Sequence, residues 1–149
     1  MPQYDIVQGQ GNLRRKDIPI KATAADADMK AGRWIYKDSE GKAVKVPAAA
    51  PTADHSTFRP VWSGKEKPDA EETNQVTTVF GAHEVLTDGY VADPTAMGVA
   101  RAAWAVGQSV VVFDGELVPY AVATDNEESI VGHVEALADA NGLMRFHIK

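Results

Sequence analysis

The side chains of this chain that could do chemistry are its 4 histidines, its 21 aspartates and glutamates and its hydroxyl residues, for it contains no cysteine. Disulfide frameworks, thiolate zinc sites and cysteine nucleophiles are therefore excluded. Asp54, His55 and Ser56 are the residue types of a hydrolytic triad, but neighbours in sequence cannot oppose nucleophile, base and orienting acid as that chemistry requires. Asp26 and Asp28 could offer oxygens to a divalent cation, yet no histidine or further acid accompanies them. His55, His83, His133 and His147 lack the short spacing of a preorganised metal pair. Gly9-Gln10-Gly11 opens like a dinucleotide fingerprint, but Arg14 stands where the third glycine belongs. Trp34, Trp62 and Trp104 could form a carbohydrate platform, although tryptophans of a β domain are more often packed inside it. The resulting expectation is a non-enzymatic protein with no catalytic, cofactor-binding or metal-binding residues.

The elements that would position any such group read as short strands separated by turn residues. "DIPIKAT" is one strand, "RWIYKDSEGKAVKV" two strands about Asp38 to Gly41, and "FRPVW" another. "PAAAPTADHST" is a loop by composition, and "SGKEKPDAEETNQ" a polar, solvated one. "VTTVFGAHEVL" continues the pattern, with Gly81 placed as a bulge would be. In "GQSVVVFDGELVPYAV" the Asp114-Gly115 turn pairs Phe113 with Glu116, Val112 with Leu117, Val111 with Val118 and Val110 with Pro119. Both faces of that ribbon are apolar. It is then buried between layers or half covered by a second subunit, so Val111, Phe113, Val118, Tyr120 and Phe146 are read as trimer or core packing.

A two-residue turn at Asn141-Gly142 puts Leu137, Met144, Phe146 and Ile148 on one face of the last hairpin and Val134, Ala136, Leu143 and His147 on the other. The same register sends His133 and His147 to opposite faces. One stretch departs from the β pattern: Asp93 as N-cap, Pro94 at the first helical position, an Ala-rich body and Gly107 as a stop favour a short helix over 94–106. The fold class is all-β, a single domain spanning 18–149 built as a small barrel or sandwich.

Net charge is −6, divided as +4 over residues 1–65 and −10 over residues 66–149. An acidic body disfavours nucleic-acid binding. No signal-peptide pattern opens the chain and no apolar run reaches the ~20 residues of a membrane span, so synthesis in the cytoplasm as a soluble protein is expected. Arg14, Arg15 and Lys16, beside Gly9 and Gly11, read either as a flexible N-terminal arm over 1–17 that reaches a partner or as a frayed, solvated tail.

The order "VTTVFGAHEVLTDGY", then "AVGQSVVVFDGELVPY", then "IVGHVEALADANGLMRFHIK" resembles that of the capsid decoration, or cement, proteins of tailed bacteriophages. A Val-Gly precedes each closing hairpin, and "MKAGRWIY" is similar to an early Ala-Gly-x-Trp/Tyr strand of that family. The resemblance covers about residues 18 to 149. It implies a β-barrel or β-tulip domain with an extended N-terminal arm, forming a homotrimer on the outer surface of the expanded head. Its partner would be the major capsid protein, met by Arg14, Arg15, Lys16 and Ile18, with neither nucleic acid nor membrane involved. A tail-tube or fibre component and a carbohydrate-binding β module are the competing expectations.

Overall fold

A computed structural model of the chain describes residues 3–9, 11, 13–62, 75–99 and 101–149. Most of the polar loop expected after Trp62 lies outside them. The described residues form an all-β fold of three antiparallel sheets, none closed into a barrel. Strands β1 (Tyr4–Gln8), β7 (His83–Thr87), β8 (Ser109–Phe113), β9 (Glu116–Pro119), β10 (Gly132–Ala136) and β11 (Met144–Ile148) make the largest sheet, in the order β1-β7-β11-β10-β8-β9. A second sheet pairs β2 (Arg14–Pro19) with β6 (Gln75–Phe80), and a third orders β4 (Ala43–Lys45), β3 (Trp34–Lys37) and β5 (Arg59–Pro60).

The Asp-Gly hairpin forms with the pairing its sequence dictates, Phe113 to Glu116 through Val110 to Pro119. Asp114 and Gly115 sit at φ 52° and 77°, the left-handed region that a type I′ turn demands at both central positions. Val110, Val112 and Leu117 join Tyr4, Trp34, Val85, Val134, Met144 and Phe146 in the main core. A smaller core holds Ile18, Met29, Ile35, Ala43, Val61 and Val76 between the two lesser sheets. Burying each such large side chain contributes roughly 1.5–3 kcal/mol.

Several expectations are corrected. The arm over 1–17 is not separate from the domain: β1 pairs with β7, Tyr4 and Ile6 are core residues, and β2 crosses the expected boundary at 17. Alternation explains it, since Tyr4 and Ile6 are the inward positions of a strand whose neighbours Asp5 and Val7 face out. No helix forms over 94–106 among the described residues. Asp93 does cap Thr95 N–H, but only a 3₁₀ turn, Pro94–Ala96, follows before the chain leaves helical geometry. Gly98 and the absence of an amphipathic stripe leave the Ala-rich segment little to bury as a helix. Gly81 (φ 113°) marks no bulge within one strand but the corner where β6 of one sheet becomes β7 of another.

The last hairpin is also shifted in register. Its loop is seven residues, 137–143, organised by Asp139, whose carboxylate accepts from Asn141 N–H and Leu143 N–H while its carbonyl accepts from Gly142 N–H. Val134 therefore opposes Phe146 and His133 opposes His147, and Leu137 is 48% exposed rather than in the core. Met144, Phe146 and Ile148 are buried as expected.

Candidate functional site

Strand β2 lies at an edge, pairing among the described residues only with β6, and it presents Arg14, Arg15 and Lys16 to solvent while Ile18 is buried in the smaller core. Ile18 is thus a packing residue and not part of an exposed contact. Packing brings two further cations, Lys37 and Arg59, to Lys16. The Lys37 ammonium on β3 is held below its ordinary pKa, first by the Lys16 charge, then by partial desolvation and by Arg59 on β5. Depression of the Lys37 pKa by neighbouring cations marks a local positive potential. The guanidiniums are braced on aromatic faces, Arg15 at 5.3 Å from the Trp62 ring centre and Arg59 at 4.6 Å from that of Phe80. Lys21 is excluded from this patch in effect, because Asp38 pairs with it at 3.0 Å.

Arg59 also borders a cavity of about 260 Å³ lined by Trp34, His55, Phe58, Phe80 and His83, with no acidic side chain among the described residues that line it. The buried Trp34 Nε1 and Arg59 Nη1 donors have no acceptor among the described residues. His83 is fully engaged: its Nδ1–H donates to the Gly81 carbonyl at 2.8 Å, which leaves Nε2 to accept from the Tyr4 hydroxyl at 2.6 Å. Burial keeps this imidazole neutral, its pKa below the ordinary value. At the rim, Ser56 donates both its backbone N–H and its hydroxyl to Asp54 Oδ1, 2.9 and 2.6 Å away, and His55 Nδ1 lies 3.6 Å from that same oxygen. The hydroxyl proton goes to the acid and not to the imidazole, so the three form no hydrolytic triad.

The residues expected in trimer or core packing resolve toward the core. Val111 and Val118 are 0% exposed within the single chain, Phe146 is at the centre of the main core, and Phe113 and Tyr120 are half-buried. The outer face of the Val111–Val118 ribbon is closed by the chain's own loops, held there by a buried ion pair that sequence reasoning missed. Arg101 donates from both terminal nitrogens to the Asp125 carboxylate and from Nη1 to the Pro119 carbonyl at 2.8 Å, and its guanidinium lies 5.6 Å from the Phe113 ring centre. Burial pushes the Asp125 carboxyl up, but hydrogen bonds from Arg101, Ala121 N–H and Thr124 outweigh it and leave the pKa lowered. The only sequence signal was a lone arginine in an Ala-rich run. All three tryptophans pack in or against the main core, Trp34 within it and Trp62 and Trp104 against it, and Trp104 donates to the Val91 carbonyl at 2.8 Å.

Comparison with protein-family models, with curated proteins and with solved structures finds no match to this chain.

Proposed function

We propose that this chain is a structural attachment protein that binds an acidic protein surface through the cations of β2, β3 and β5. The observation that carries the reading is the convergence of Lys16, Lys37 and Arg59 from three strands of a chain whose net charge is −6. A cationic patch on an acidic body gives orientation as well as attraction: the body is repelled by the surface that the patch seeks. Arginines braced on rings lose less freedom on binding than free ones do, which favours them as contact residues.

The segment-order resemblance supports a more particular version, a decoration protein on the outer surface of a tailed-phage head, bridging major capsid protein subunits as a homotrimer. Three weak patches on one trimer would bind together, and avidity can exceed single-site affinity by ~10²-fold or more. With the Val111–Val118 ribbon covered, the trimer contact would lie elsewhere on the surface. Sedimentation of the purified protein with expanded and with unexpanded heads lacking it tests this version: binding to expanded heads alone is expected, and binding to neither overturns it. A carbohydrate-binding module is less well supported, because Trp34, Trp62 and Trp104 all pack in or against the core.

A further inference from the structure

The outward face of the six-stranded sheet carries a cluster unrelated to the basic patch. On β11, Phe146 and Ile148 point into the core, so Arg145 and His147 point out; the same alternation turns out Glu84 on β7 and His133 and Glu135 on β10. Register does the rest. His147 stands directly opposite Glu84 on one side and His133 on the other. The imidazole of His147 and the carboxylates of Glu84 and Glu135 bring one ligand atom each within 4.8 Å of one another.

We propose that these three side chains bind a first-row divalent cation, with His133 as the residue that orients one of them. Bond lengths to zinc near 2.0–2.2 Å require ligand atoms about 3.4 Å apart, so side-chain rotations closing the set by at most about 1.4 Å complete a three-ligand site. The three ligands sit on hydrogen-bonded strands, so that closure needs no backbone movement. One imidazole and two carboxylates suit zinc, cobalt or manganese better than calcium, which takes oxygen ligands alone. His133 Nε2 donates to Glu135 Oε1 at 2.8 Å, the outer hydrogen bond that aims a ligating carboxylate. Its ring stacks on His147 at 5.1 Å and 26°, which limits the rotation of both. Arg145 is the internal competitor, pairing with Glu84. Its partly exposed side chain can swing to solvent when a cation takes its place.

Calorimetric titration of Zn²⁺ and Co²⁺ into the full chain, alongside thermal melts, tests the site. One saturable binding event that raises the melting temperature is expected. His147→Ala and Glu135→Gln should weaken it tenfold or more, the range seen when metal-site partners are removed. Arg145→Gln, which releases Glu84, should tighten it, and His55→Ala should leave it unchanged. No uptake at ~1 mM metal, or equal affinity in the His147→Ala protein, overturns the proposal. If that variant fails to fold, the ring protons of His147 in the parent protein serve instead. Co²⁺ should shift them strongly, and unshifted signals overturn the site.

Discussion

Arg101 and Asp125 meet as a two-point ion pair with side chains only 2% and 0% exposed, joining two loops distant in sequence over the outer face of the β8–β9 ribbon. The pair gives a two-faced apolar ribbon an intramolecular cover. Removing one partner strands the other charge inside. Arg101→Leu should destabilise by about 3–5 kcal/mol, whereas the double variant Arg101→Leu/Asp125→Leu should cost much less than the two single changes together. Urea melts of the four proteins measure this, and additive losses would contradict it.

The acid response should have two stages. His83 has a folded pKa below its ordinary 6.5, so the unfolded state binds the proton more readily; stability is complete above 6.5 and declines as pH falls from there toward the folded value. Asp125, also lowered in the fold, contributes stability above its ordinary 3.8 that is lost as pH falls below that value. Melting temperatures across the acid range should therefore fall first below about 6.5, and His83→Asn should flatten that first stage alone.

The N-terminal strand is structural. Tyr4 fills the main core and its hydroxyl engages His83, so Tyr4→Ala should cost about 3–5 kcal/mol, as other buried aromatic truncations do. Deleting residues 1–8 should abolish cooperative unfolding. A truncated protein that melts like the full chain would show β1 to be dispensable.

Gly132 has no room for a side chain: a Cβ there would lie 1.9 Å from the His147 carbonyl oxygen. Gly132→Ala must push β10 from β11 and should cost about 1–3 kcal/mol or more. Calorimetric melting checks it. The same change at Gly98, where nothing lies within 4 Å, should be neutral within about 0.5 kcal/mol.

Reversing charge on the patch should separate binding from folding. Arg15→Glu, Lys16→Glu and Lys37→Glu together should leave the melting temperature within a few degrees of the parent while weakening attachment to an acidic surface. Attachment of the parent should itself fall as salt rises, since exposed charges are screened within ~10 Å at 0.1 M. Cosedimentation at two ionic strengths reads both effects.

The residues alone determined whatever depends on neighbours a few positions apart. Asp114-Gly115 can adopt the positive φ values of a type I′ turn, so the β8–β9 register followed directly. The turn from Asp38 to Gly41 was equally local, with the Asp38 carboxylate accepting from Glu40 N–H and Lys42 N–H. Asn141-Gly142 carried a similar turn signal, yet there the bonds to Asp139 stabilise a longer loop, and the shifted register moves Leu137 out of the core, Val134 into it and His133 onto the face of His147. Only the tertiary structure could place His147 between Glu84 and His133, because β7 and β11 are adjacent through long-range strand order and not through a shared turn. The gathering of Lys16, Lys37 and Arg59, and the burial of Arg101 against Asp125, are likewise decided by which surfaces pack. A charged side chain reads as solvated in a sequence until the partner that makes its burial affordable is brought to it by the fold.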